Sequence, residues 1–308
     1  MSWLKWLRSS LLPAAVRRFL RERRMAGTVG DSVTPCRSSV PGSLSIVLGS
    51  YNRLSLLKHA INSVRTDAGD IAREIIVVDG GSTDGSLDWL ISQRDIVTIV
   101  QHNRGEMDGK PIERRSWGYF MNLAFKAAQG EWVLMLSDDC LLLPGAIPRS
   151  LADADRVRQA GGKVGAIAYQ FRNWPQENHY YVQKTIGGKL TVNHGLFLNQ
   201  ALREVGYANE DDYVFYKADG DLNLRIWAAG YEVIAAEQAF VEHYLDPAET
   251  VRLDNNAVLN RDRAAFHRIW PELVDGELPS RVYSSYRDPT GVAERVFGAF
   301  QNATVASA

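Results

Sequence analysis

The sequence predicts an α/β fold in which a mostly parallel sheet carries helices on both faces. Three observations carry this. Apolar strand-like runs alternate with helical segments from residue 44 onward, the pattern of βαβ units. The runs are short and rich in Val, Ile and Leu, as buried strands are. Three of them end in polar, turn-rich segments, all at one end of the sheet, where ligands bind in open α/β sheets.

The elements follow in order. Strand 44–48 leads into Gly49-Ser50-Tyr51-Asn52-Arg53 and a helix over 54–65. Strand 74–79 ends in Asp79 and the turn Gly80-Gly81-Ser82-Thr83-Asp84-Gly85, in which Asp84 suits the cap of a helix over 84–93. Strand 96–100 precedes a polar, Gly-bearing stretch over 102–115, read as a loop over the site. A helix over 114–128 follows, then strand 132–136, bounded by Gly130 and ending in Ser137-Asp138-Asp139. A helix over 145–160 and a strand over 164–169 complete the first half. In the second half, 180–185 and 189–192 flank Gly187-Gly188, a hairpin signal. A helix over 217–229 and a strand over 231–236 come next. The pattern weakens beyond His243, with helices over 251–270 and 291–301 punctuated by Pro271, Pro279 and Pro289.

Chemistry concentrates at the strand ends. Asp138 and Asp139 repel each other unless a cation or cationic partner lies between them. Hard divalent cations bridge such carboxylates to phosphates. The alternative is a solvated turn before Pro144. Asp79 stands where a carboxylate can bond a base or ribose, or simply caps the next helix. Asp219 and Asp221 open a helix, where they either cap it and complement its dipole or serve as a general base.

Together these residues resemble glycosyltransferase family 2. The family shows an apolar strand then Tyr-Asn-Arg, another then Asp-(Asp or Gly)-Gly-Ser-Thr-Asp-Gly, and a third then an Asp-rich metal motif. Asn122, Gly130-Glu131 and Pro144-Gly145-Ala146 match further segments, as do Asp219-Gly220-Asp221-Leu222-Asn223-Leu224-Arg225 and Ala229-Gly230-Tyr231. The match covers about residues 43 to 245. The resemblance implies a GT-A fold, Rossmann-like, with a small acceptor-side hairpin. It implies an inverting transferase using a nucleotide-diphosphate sugar donor, a divalent metal (Mn2+ or Mg2+) and a glycan or lipid-linked acceptor, in bacterial surface polysaccharide synthesis. It puts Ser50, Tyr51, Asn52, Arg53, Asp79, Ser82, Asn122 and Asp138 on the nucleotide, Asp139 and His243 on the metal, and His194 and Gly195 beside the acceptor. The chain departs from the pattern at Gly49-Ser50, where Pro-Thr is usual, at Ser137, and at Ala218, where a Glu often stands. Asp219 and Asp221 therefore compete for the role of base.

Composition sets limits. The 308 residues, 45% hydrophobic, allow one large or two small domains. A net charge of −1 gives no argument for nucleic-acid binding. Cys36 and Cys140 form no disulfide framework, which fits a reducing cytosol. Cys140 has no positioned His partner evident in the sequence and reads as a small buried hydrophobe. No apolar run is long enough to span a bilayer. Residues 1–24 carry seven basic residues against Glu22, a net +6, interleaved with Trp3, Trp6, Leu7, Leu20 and Phe19. Such a segment reads as an interfacial membrane helix, with a docked helix or a disordered arm as alternatives. The expected organisation is a basic arm over 1–24, a linker over 25–43, a catalytic domain over 44–245 and a helical extension over 246–308, in a cytoplasmic protein peripheral to the inner face of the membrane. The competing functions are a sugar-phosphate nucleotidyltransferase, whose Gly-rich phosphate loop the 49–53 segment matches poorly, and a non-catalytic membrane-associated scaffold of the same fold.

Overall fold

In β1 (Val40–Ser50), Leu44, Ile46 and Leu48 point to one face and Val47 to the other, and all four are buried. A strand apolar on both faces needs a cover on both, and the computed structural model of the chain supplies it. The structure describes residues 40–71, 73–245 and 255–306. On one face, Leu44, Ile46, Leu48, Ile75, Val77 and Leu134 pack with Leu57, Ile61 and Val64 of α1 (Leu54–Ala68) and Ile147 of α4 (Ala146–Gln159). On the other, Val47, Ile76, Val78, Val133 and Met135 pack with Met121 and Phe125 of α3 (Trp117–Ala127), Leu202 of α5 (Asn199–Val205), and Leu222 and Ile226 of α6 (Ala218–Ala228). The strands' two-residue period sorts their side chains into these two cores.

The sheet runs β10 (Leu190–Thr191), β9 (Tyr181–Lys184), β8 (Val164–Trp174), β11 (Gly195–Leu198), β6 (Gly130–Met135), β1, β2 (Arg73–Asp79), β3 (Ile96–Val100). Its first half is parallel: β1 lies between β2 (Arg73–Asp79) and β6 (Gly130–Met135), and β3 (Ile96–Val100) flanks β2. Chain order reverses at β1, and this is the switch point at which ligands bind. Register brings Ser50 beside Asp79, and Val47 beside Met135. The three polar strand ends therefore meet. The α2 helix (Ser86–Ser92) and a small hairpin of β4 (Glu106–Met107) and β5 (Lys110–Pro111) fill the connections.

The second half of the sheet is mixed. β11 (Gly195–Leu198) runs antiparallel between β6 and β8 (Val164–Trp174). β9 (Tyr181–Lys184) and β10 (Leu190–Thr191) form the expected hairpin around Gly187-Gly188. β12 (Glu232–Tyr244) pairs parallel with β8 and antiparallel with β7 (Cys140–Leu142). The C-terminal part contributes α7 (Leu259–Ile269), α8 (Pro271–Val274), β13 (Ser280–Tyr283) on β9, and α9 (Val292–Ala306).

Several boundaries differ from expectation, among them the strand expected over 164–169, which runs to Trp174. β1 begins at Val40, inside the stretch read as linker. The strand expected over 231–236 continues through a register shift between Ala235 and Phe240 to Tyr244, so His243 lies within it and not beyond it. The exposed Glu237 and Gln238 at that shift broke the apolar pattern. The helix expected over 251–270 is described as Leu259–Ile269. The basic segment 1–24 lies outside the described residues.

Gly195 shows how tightly the two halves join. Its φ is +147°, and a Cβ there would sit 2.1 Å from the Ile167 carbonyl oxygen of β8. Gly195→Ala should therefore cost about 2 kcal/mol or more of stability, read as a lower midpoint in denaturant. An unchanged midpoint would mean that β8 and β11 can separate at little cost.

Candidate active site

The turn between β6 and β7 carries Asp138 and Asp139, both about 4% exposed. Arg53, at the start of α1, meets both: its Nη1 donates to Asp138 Oδ1 at 2.9 Å and to Asp139 Oδ2 at 2.9 Å. The guanidinium is the cationic partner that two adjacent buried carboxylates require. The second oxygen of Asp139, Oδ1, lies 3.4 Å from His243 Nε2. Strand pairing brings this about, because β12 sets His243 opposite Cys140 of β7 and opposite Asn173 of β8. The Asn173 amide nitrogen donates to the Tyr181 hydroxyl at 3.0 Å, and its Oδ1 faces His243 Nδ1 at 2.7 Å. His243 thus donates from Nδ1, and Nε2 and Asp139 Oδ1 need a proton or a cation between them.

The donor set around this gap is one that can hold a divalent metal. Asp139, Cys140 and His243 each offer a ligand atom within 4.8 Å of the others. Carboxylate and imidazole suit Mn2+, and imidazole suits Mg2+ less well. Burial would raise the Asp139 carboxyl, but His243 and Arg53 outweigh it and hold the group well below the usual carboxylate range. Burial lifts its neighbour Asp138, against Arg53 and with help from the charge of Asp139. Burial, and then Asp139, also push the Cys140 thiol up.

A cavity of about 420 Å³ opens over these groups. Ser50, Tyr51, Arg53, Asp138, Asp139, His194, Asp219 and His243 all line it. Asp79 is fully buried beside the lining Gly80. Its Oδ1 accepts from the backbone N–H groups of Gly81 and Ser82, while Oδ2 is buried and has no hydrogen-bond partner among the described residues. An orphaned buried carboxylate oxygen is costly, and it suits a group that a ligand completes.

Across the cavity, Asp219 sits in the first turn of α6. Its Oδ2 accepts from Asn193 Nδ2 at 2.8 Å and its Oδ1 from the Gly220 N–H at 2.7 Å. Burial raises its pKa, opposed by the Gly220 N–H and by Lys217. His194 is 5% exposed. Burial and then His243 pull its imidazole down to about 3, so it is neutral. Its Nε2 lies 3.7 Å from Cys140 Sγ, the His partner that the linear sequence did not reveal.

Five expected site residues serve other ends. Asn52 has φ +52°, and its N–H donates to Ser82 Oγ at 2.9 Å while its Oδ1 accepts from the Thr83 N–H at 2.7 Å. Asn52 and Ser82 tie two loops together, and neither lines the cavity. Asn122 is buried on α3, where it exchanges hydrogen bonds with the Ala208 backbone and donates to Glu210. Gly195 makes its close approach to β8 and not to the cavity. Asp221 is 1% exposed and fully engaged: Oδ2 accepts from Arg225 Nε at 2.7 Å, and Oδ1 from Trp270 Nε1 at 3.0 Å and the Tyr213 hydroxyl at 3.3 Å. It braces α6 and does not line the cavity. Conversely, Arg104, Arg114, Arg115, Asn173, Asn193 and Lys217 line the cavity without having been singled out. The adjacent Arg114-Arg115 at the end of a loop, and Lys217 two residues before Asp219, were the available signals.

Asp221→Ala should therefore destabilise the fold by roughly 3–5 kcal/mol, the cost of breaking a buried ion pair, while folded protein keeps its affinity for a nucleotide diphosphate. Denaturant unfolding and calorimetry check both halves. A stable variant that cannot bind would return Asp221 to the site.

Comparisons with known proteins give the family and the fold. The model of glycosyl transferase family 2 matches residues 45–204, just over half of the chain. An uncharacterized glycosyltransferase of Nostoc sp. is 36% identical over 127 residues, covering 40% of this chain and 35% of that protein. An uncharacterized glycosyltransferase of Mycoplasma genitalium is 30% identical over 99 residues, covering 31% and 32%. The chain thus spans about a third of the length of these curated relatives. Among solved structures, a mannosyltransferase from Pyrobaculum calidifontis in complex with GDP-Man and Mn2+ superposes with a TM-score of 0.53 at 19% identity, covering 86% of this chain and 73% of that one. S. aureus TarS gives 0.52 at 15% identity, covering 77% and 40%. The fold is that of the GT-A glycosyltransferases, and the chain belongs to glycosyl transferase family 2.

Proposed function

We propose that the chain transfers a sugar, with inversion, from a nucleotide-diphosphate sugar to a hydroxyl of a glycan or lipid-linked acceptor, in cell-surface polysaccharide synthesis. One observation carries the reading: Arg53, Asp138, Asp139, His243 and Asp219, far apart in sequence, line one cavity at the switch point of the sheet. The nucleotide-sugar complex of the Pyrobaculum neighbour supports a donor of this class. The same convergence weighs against a non-catalytic scaffold, which has no use for it.

In this reading Ser50, Tyr51, Arg53, Asp79 and Asp138 hold the nucleotide, with Asn52 and Ser82 shaping its loops. Asp139 and His243 would hold a divalent cation, Mn2+ or Mg2+, whose chemistry when bound is Lewis-acid stabilisation of the leaving diphosphate. Arg53, Arg114, Arg115 and Lys217 add positive charge along the cavity wall. Asp219 accepts the proton of the acceptor hydroxyl as its oxygen bonds to the sugar's anomeric carbon. The bond from that carbon to the diphosphate breaks in the same displacement, and the nucleotide diphosphate departs with the electron pair. A single displacement of this kind inverts the anomeric centre. Asp219 must be ionised to act, and its pKa is raised, so activity is lost as pH falls through that pKa.

Asp139→Ala should abolish the Mn2+-dependent part of nucleotide-diphosphate binding in calorimetry while leaving the protein folded. Asp219→Asn should lower turnover by roughly a hundredfold or more with donor binding kept. Mn2+-independent binding in the parent, or full turnover in Asp219→Asn, would sink the assignment.

The domain reading keeps a catalytic unit over 44–245 with an extension over 246–308. We assign residues 1–24 to contact with an anionic membrane surface on the cytoplasmic side. Among the described residues no helix is long and apolar enough to cross a membrane. Each basic residue near an anionic surface is worth about 1 kcal/mol. Sedimentation with anionic vesicles should weaken with salt and vanish on deleting residues 1–24, with transfer to a soluble acceptor retained. Full-length protein that stays in the supernatant at low salt would refute the membrane contact.

A further inference from the structure

The helix α7 lies beyond the residues matched by the family model, which end at 204. It carries Asp262, which is 0% exposed and makes no ion pair among the described residues. A bare buried carboxylate is costly. Asp262 is compensated by three successive backbone N–H groups: Val214 at 2.9 Å on Oδ1, and Phe215 at 2.8 Å and Tyr216 at 2.7 Å on Oδ2. The three donors satisfy both carboxylate oxygens.

The loop held by Asp262 belongs to the cavity. Phe215, Tyr216 and Lys217 line it, and the chain then enters α6 and reaches Asp219. Lys217 adopts φ +69°, a left-handed conformation that is strained for a non-glycine residue and persists only where its surroundings enforce it. The same C-terminal stretch makes further contacts with this side of the protein. Asn255 Oδ1 accepts from Arg114 Nη2, Asn256 Oδ1 accepts from the Tyr216 hydroxyl at 2.7 Å, and Trp270 Nε1 donates to Asp221 at 3.0 Å. Arg114 and Asn255 themselves line the cavity.

We propose that residues 255–270 back the wall of the acceptor site that Asn255 and Phe215–Lys217 line, and that Asp262 is the positioning residue that sets the Phe215–Lys217 loop and, through it, Asp219. This rests on the reading of Asp219 as the base. Asp262 touches no reacting atom. It fixes the backbone that does the presenting, and a misplacement of about 1 Å can cost ~10²-fold in rate. In Asp262→Ala all three N–H groups lose their acceptor. In Asp262→Asn one oxygen remains to accept, and the amide turns a donor toward another donor, so the effect is graded.

The test combines amide hydrogen exchange with steady-state kinetics on the full chain. In Asp262→Ala, exchange at Val214, Phe215 and Tyr216 should quicken by tenfold or more, with a smaller change in Asp262→Asn. Affinity for a nucleotide diphosphate with Mn2+, and the donor KM, should stay within twofold of the parent. The acceptor KM should rise or kcat fall by tenfold or more. Unchanged exchange at the three amides would overturn the inference. So would quicker exchange with unaltered acceptor KM and kcat. If Asp262→Ala does not fold, Asp262→Asn decides by the same readouts. A parent that transfers no sugar refutes the glycosyltransferase reading itself, whereas an active parent with indifferent Asp262 variants refutes only the role of this wall.

Discussion

Two carboxylates side by side in a buried turn are the constraint around which the rest is arranged. Asp138 and Asp139 can both remain at the end of β6 only because Arg53 bonds to each of them. One guanidinium nitrogen therefore couples the loop after β1 to the turn after β6. It leaves the second oxygen of Asp139 facing His243. Breaking this arrangement would leave an uncompensated buried charge, which is far more costly than the arrangement is stabilising.

The site is built from residues that touch the cavity and residues that hold those in place. Asn173 faces the inner nitrogen of His243, so its outer nitrogen is free to meet Asp139. Asn52 and Ser82 fix two loops against each other. Asn122 anchors α3 to the 208–210 segment. Asp221 draws Arg225, Tyr213 and Trp270 into one buried network beneath Asp219. Asn122 and Asp221 satisfy buried donors and acceptors that would otherwise cost stability. A motif residue can thus be indispensable without meeting a ligand.

The C-terminal part makes the same point at larger scale. α9 packs Phe297 against Trp174 and Tyr244, at the ends of β8 and β12. On the neighbouring strand positions, Arg172 forms a bidentate pair with the buried Glu242 and also reaches Glu294 of α9. The strand pair that presents Asn173 and His243 to the cavity is thereby braced from behind by a segment outside the matched family residues.

Local pattern was enough to read the parallel half of the fold and the acidic strand ends. Apolar periodicity is local, and so are turn residues such as Gly80-Gly81 and the capping Asp84. For that reason β1, β2, β3, β6 and their helices were legible, and Ser50, Tyr51, Arg53, Asp138, Asp139 and Asp219 were legible as residues lining the cavity. Tertiary structure decided what depends on partners distant in the chain. It separated Asp219 from Asp221, two residues apart on one helix, because only Asp221 faces Arg225 and Trp270. It brought His194 to Cys140 and Asn173 to His243 through strand register, which no local pattern encodes. It joined Asp262 to a loop nearly fifty residues earlier, since a backbone N–H carries no signature of the carboxylate that will find it.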